Sequence, residues 1–123
     1  MYSIAFEYLE NDIELQSKIE EYFNQNTKMK SKPLDGMETI LAIVTIAGFT
    51  IELAKFVIDY IIKPNMEKKK FSKHQNAEKI ISYSRCIIYN GKTITPSLIS
   101  SKLNGKDCTP ENVLEIICQE FQI

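Results

Sequence analysis

The chain is poor in the residues that most active sites are built from: 123 residues include one histidine, three cysteines, four glycines and four prolines. A single imidazole, His74, excludes most metal sites, because zinc is held by several His and Cys ligands at short spacings and the cysteines form no CxxC pair. An odd number of thiols argues against a disulfide framework. The opening residues lack the basic, apolar and small-residue regions of a secretory leader, so the expected setting is cytoplasmic, with Cys86, Cys108 and Cys118 reduced. The glycines are isolated, so no G-x-G-x-x-G or G-x-x-x-x-G-K-[ST] phosphate loop is present, and neither H-E-x-x-H nor G-x-S-x-G occurs. No cofactor is expected.

Net charge is also lacking. Fifteen Lys plus Arg face sixteen Asp plus Glu, a formal −1 with pI near 5.9, so the field of the whole molecule selects no partner. The longest uncharged stretch around the most apolar region, Thr39 to Ile51, is thirteen residues. Roughly 20 are needed to cross hydrocarbon, so no membrane span is expected.

What is present is the composition of one globular domain over residues 1–123, with 44% hydrophobic and 25% charged residues. The charge is unevenly placed: six acids and one lysine lie between Met1 and Thr27, and eight bases and two acids between Lys63 and Lys92. Opposite fields on different faces follow from that distribution.

Local patterns give an order of elements. Tyr2, Ile4, Phe6 and Tyr8 alternate with smaller or polar residues, the period of a half-buried strand. Asn11 with Glu14 reads as a capping box opening a helix with Leu15, Ile19, Tyr22 and Phe23 on one side. Asn24 to Pro33 reads as a loop. Asp35 with Glu38 repeats the capping signature and Pro64 supplies a stop, which predicts a long apolar helix between them. Its polar positions Glu38, Thr45, Glu52 and Asp59 recur every seven residues, and this spacing favours the helix over a pair of strands broken at Gly48. A helix apolar around most of its circumference needs cover from a sheet, other helices or a second copy of the chain.

Lys63 to Asn76 reads as a solvated connection, with a short helical turn expected over Ala77 to Ser82. Tyr83 to Tyr89 and Lys92 to Thr95 flank Asn90-Gly91, the signature of a two-residue hairpin turn. Leu98 to Leu103 is expected to be a short helix closed by Asn104-Gly105. Thr109 as N-cap and Pro110 at the first turn open a last helix, with Val113, Leu114, Ile117, Cys118 and Phe121 inward. The fold class is α+β: a small, mostly antiparallel sheet packed on a long apolar central helix, with shorter helices around it.

Two chemistries are available in outline. Cys108 precedes a helix N-terminus and His74 is the sole imidazole base, the ingredients of a small Cys-dependent enzyme. Lys68, Lys69, Lys70, Lys73, Lys79, Arg85 and Lys92, interleaved with Phe71, Tyr83 and Tyr89, have the composition of a strand-tracking basic surface. A lysine-rich loop has the same composition, and without a nucleic-acid module nucleic acid is not the expected partner.

The succession of an acidic capped helix from Asn11 to Asn24, a Gly36-Met37-Glu38 opening into an aliphatic segment with central Ala47-Gly48, a basic linker and an Asn90-Gly91 hairpin resembles the effector-associated constant component proteins of bacterial conflict systems. That resemblance implies a non-catalytic adaptor with no active-site residues to carry over. In general character the chain is also similar to immunity proteins paired with bacterial toxins. The favoured expectation is a non-enzymatic immunity protein that binds a basic toxin through Glu10, Asp12, Glu14, Glu21, Glu52 and Asp59. The adaptor, the Cys108 enzyme and a membrane-associated or self-associating helix protein remain the alternatives.

Overall fold

The computed structural model describes residues 1–30, 38–65 and 85–123. Strand β1 (Tyr2–Leu9) is followed by α1 (Ile13–Phe23), β2 (Thr27–Lys30), β3 (Thr39–Ile46) and α2 (Ile51–Val57), which continues into a π-helical turn (Ile58–Ile62). The hairpin β4 (Cys86–Tyr89) and β5 (Lys92–Ile94), then α3 (Pro96–Leu103) and α4 (Pro110–Phe121), complete the chain. The five strands form one antiparallel sheet in the order β2-β3-β1-β4-β5, and the fold is α+β.

Parity along β1 sets the layers. Ile4, Phe6 and Tyr8 are buried, and the helices pack on their side: Phe6 meets Phe23 of α1 and Phe56 of α2 at ring separations of 5.5 and 5.4 Å. At the other end of that face Tyr2, Phe49, Tyr89 and Phe121 form a second aromatic cluster, with Tyr89 5.4 Å from Phe121 of α4. Register places Ala5 opposite Ile43 and Ile88, and Glu7 opposite Leu41 and Cys86. Directly opposed residues share a face, so these lie on the side away from the described helices.

The central long helix is corrected. Thr39–Ile46 is a strand between β2 and β1, and only Ile51 onward is helical. Six of the eight β3 residues are β-branched (Thr39, Ile40, Ile43, Val44, Thr45, Ile46), which suits a pleated surface better than a helix. The Thr50 side chain then accepts the Leu53 amide at 3.3 Å and starts α2 afresh. Of the four polar residues spaced by seven, Glu52 and Asp59 lie on the helical segment, while Thr45 lies on the strand and Glu38 just before it. With the long helix gone, self-association through it loses its basis.

Two smaller expectations are also corrected. The α1 cap is Asp12, not Asn11: its Oδ1 accepts the Leu15 amide at 3.2 Å. Part of the 24–33 loop is the edge strand β2, whose four residues are all exposed, so it carries no apolar period for the sequence to show. The C-terminal third follows its local chemistry closely. Thr95 and Thr109 cap α3 and α4, with Pro96 and Pro110 in their first turns, and Asn104 adopts the left-handed cap conformation. Ile116 is buried in α4, while Leu114 and Cys118 are only half-buried. The expected turn over 77–82 and most of the basic segment lie outside the described residues.

Asn90 and Gly91 both have positive φ, 51° and 78°, as a type I′ turn requires. A Cβ on Gly91 meets nothing within 4 Å, so the cost of Gly91→Ala is conformational. Chemical denaturation should show a loss of about 1–2 kcal/mol. No loss would mean that the turn relaxes to another type without cost.

Candidate functional site

The chain has one arginine, and it is the centre of the buried polar structure. Arg85 is 2% exposed and Asp12 1%. Arg85 Nε donates to Asp12 Oδ2 at 2.7 Å and Nη2 donates to Oδ1 at 2.8 Å, a bidentate fork. Nη1 donates to the Tyr60 carbonyl at 2.8 Å. Tyr60 sits in the π-helical turn, four residues before Pro64, which has no N–H to give its carbonyl, so that oxygen is available to a side chain. The entry of β4, the N-terminus of α1 and the end of the α2 segment are thereby tied at one point. Asp12 is consequently no surface contact, which corrects its assignment to a partner interface. Sequence reasoning missed this pair; the available signal was a lone Arg among lysines, the residue suited to bidentate buried pairing.

The other expected contacts separate into two groups. Glu14 and Glu21, 66% and 72% exposed, share a stripe of α1 with Lys18, whose Nζ is 3.5 Å from Glu21 and 5.9 Å from the Tyr60 ring centre. Glu52, Lys55 and Asp59 form an exposed stripe on the α2 segment, with Lys63 3.5 Å from Asp59. The helices lie side by side and antiparallel: Tyr22 near the end of α1 is 5.0 Å from Phe56, while Lys18 reaches the later Tyr60. Burial, and then the charge of Glu52, raises the Tyr22 phenol, consistent with Glu52 beside the end of α1. Glu14, Glu21, Glu52 and Asp59 thus belong to one two-helix surface.

Glu10 belongs elsewhere. At the end of β1 it is 3.8 Å from Lys30, which also donates to Glu38 at 3.0 Å. The hydrogen bond from Lys30 lowers the Glu38 carboxyl, and the same bond, with the charge of Glu10, raises the ammonium.

The thiols behave as packing groups. Cys86, Cys108 and Cys118 are unbridged and half-buried. Burial pushes all three upward, Cys86 to about 11 with Glu7 adding to it, while Lys63 pulls weakly against the rise at Cys108. A thiolate nucleophile needs the opposite shift. His74, the expected base, lies outside the described residues. Among the described residues no group of three or more His, Cys, Asp or Glu is placed to hold a metal, and no helix is long and apolar enough to cross a membrane.

One shallow, open concavity of about 460 Å³ lies where α1 meets β2, lined by Glu20, Asn24, Gln25, Asn26 and Lys28. Its lining is amide and charge, without a nucleophile. Tyr8 is fully buried beneath this layer, and its hydroxyl has no hydrogen-bond partner among the described residues. Comparison with family models, curated proteins and solved structures finds no match to this chain, so the surface chemistry itself carries the functional reading.

Proposed function

We propose that this chain is a non-catalytic protein–protein interaction protein, most concretely an immunity protein of a bacterial conflict system that covers a basic toxin. The observation that carries the reading is the adjacency of two exposed helix stripes, one with Glu14, Glu21 and Lys18 and the other with Glu52, Asp59, Lys55 and Lys63, which together hold four carboxylates against three ammonium groups on helices whose apolar sides are committed to the core. Such a surface steers a cationic partner by charge and costs the fold little. The adaptor reading is the second one, supported by the place of β2 at the edge of the sheet of described strands.

The test uses the protein encoded by the neighbouring reading frame. Co-expression with this chain should relieve any growth arrest that protein causes. The purified pair should associate with a salt-dependent on-rate. Glu21→Lys with Glu52→Lys should slow association on the order of tenfold at low salt and flatten the salt dependence, because surface charges act mainly on encounter. Thermal unfolding of the variant should change by no more than about 0.5 kcal/mol per substitution. An unchanged on-rate in a normally folded variant would remove this surface from the interface.

A further inference from the structure

Helix α1 and the α2 segment meet along a seam of rings. Tyr22 packs on Phe56 at 5.0 Å and on Phe23 at 4.7 Å, and Phe56 stands 4.9 Å from Tyr60. Phe56 is buried, but Tyr22 keeps 46% of its surface exposed, so the seam presents an aromatic ring to solvent between the two charged stripes.

One end of the seam shows what such a place holds. The Lys18 ammonium lies 5.9 Å from the centre of the Tyr60 ring and 3.5 Å from the Glu21 carboxylate, so a cation is shared there between a ring and an acid. At the other end the ring is Tyr22 and the acid is Glu52, one helical turn before Phe56. The charge of Glu52 reaches the Tyr22 phenol and adds to the effect of burial in raising it. The chain supplies no cation at this end. Among the described residues no ammonium or guanidinium stands within ion-pair distance of Glu52, Lys55 of the same stripe included, while Lys28 is paired with Glu20 and Lys63 with Asp59.

We propose that Tyr22 and Glu52 receive an arginine side chain of the protein partner, its guanidinium stacked on the Tyr22 ring and its charge facing the Glu52 carboxylate. Arginine suits the place better than lysine, because a planar, weakly hydrated cation lies on a ring and still directs N–H groups at a carboxylate. Tyrosine and arginine are also the side chains that most often anchor an interface. The site deepens the immunity reading and rests on it for the partner that carries the arginine.

The probe is a capped Gly-Arg-Gly peptide, compared with peptides in which lysine or citrulline, the neutral isostere, replaces arginine, and binding to the full chain is followed by ring and amide NMR shifts. The arginine peptide should bind at least roughly fivefold more tightly than the citrulline peptide and more tightly than the lysine peptide, with shifts centred on Tyr22 and Glu52. Glu52→Gln should weaken binding by roughly twofold to fivefold, and Tyr22→Leu should weaken it as well. Tyr22→Phe keeps the ring and should retain it. Glu52→Gln changes an exposed group and decides the matter if Tyr22→Leu folds poorly. Glu115→Gln, at an exposed acid of α4, should change nothing. Equal binding of the arginine and citrulline peptides, a lysine peptide as tight as the arginine one, equal losses from Glu115→Gln and Glu52→Gln, or shifts centred elsewhere would each overturn the proposal. Relief of growth arrest without arginine binding at Tyr22 would overturn this site alone, and arginine binding there without relief would overturn the immunity reading alone.

Discussion

Replacing Arg85 by alanine is expected to lower the free energy of unfolding by about 3–5 kcal/mol, as removal of one partner from a buried ion pair generally does. The loss is large because the buried Asp12 carboxylate loses its counter-charge, its Oδ2 and the Tyr60 carbonyl lose their guanidinium donors, and Oδ1 keeps only the Leu15 amide. Lysine should not rescue the variant. A point charge cannot reproduce two parallel N–H···O bonds and a third donor on the opposite side. The double change Asp12→Asn with Arg85→Met should cost less than Arg85→Ala alone, because no charge is then left buried without its partner. The amide of asparagine can still accept from Leu15 and keep the α1 cap. Urea unfolding of the three proteins decides the matter. A loss below about 1 kcal/mol for Arg85→Ala, within the range of surface pairs, would mean that the knot is not a source of stability.

The same knot shows what the sequence conveys and what it does not. Signals that act within a few residues were legible: the Asn90-Gly91 turn, the Thr-Pro openings of α3 and α4, and the alternation along β1. Each is a local bargain between a side chain and its own backbone. Pairing across 73 residues leaves no local trace, so Asp12 looked like any acid in a first turn. Thr39–Ile46 reads as part of the helix for a related reason, while Ile51–Ile62 is helical as expected. Strand β3 carries apolar side chains on both faces, Ile40, Ala42 and Val44 on one and Leu41 and Ile43 on the other, so it shows no polar alternation and resembles a buried helix, and four polar residues at spacing seven reinforce the helical reading. The β-branched run and Thr50 after Gly48 were the discriminating marks. For the functional surface, spacing along α1 and along the α2 segment was enough to define each acidic stripe, but only packing of Tyr22 on Phe56 puts them side by side. Glu10 falls outside that surface because β1 ends at the other group of charges, with Lys30 and Glu38.

Alkaline pH should unfold the protein in a window set by Tyr8 and Cys86. Burial, then the charges of Glu20 and Asp12, pushes the Tyr8 phenol from 10.0 up to about 12; burial, then Glu7, pushes the Cys86 thiol from 9.0 to about 11. Both are acids held more firmly protonated in the fold than in the unfolded chain. Their contribution is therefore complete below the unfolded values and lost as pH rises, between about 9 and 11 for Cys86 and between about 10 and 12 for Tyr8. Two units each correspond to about 2–3 kcal/mol per group, with the Cys86 share smaller because that side chain is only half-buried. The combined loss is a large part of the 5–15 kcal/mol typical of a small domain. Tyr8→Phe removes a buried hydroxyl that has no partner among the described residues, so at pH 7 it should be neutral or stabilising by up to about 1 kcal/mol. Combined with Cys86→Ala it should flatten the decline above pH 9. Guanidinium unfolding at pH 7.5, 10 and 11.5 compares the two proteins, and a decline in the double variant parallel to that of the parent would show that other groups set the alkaline limit.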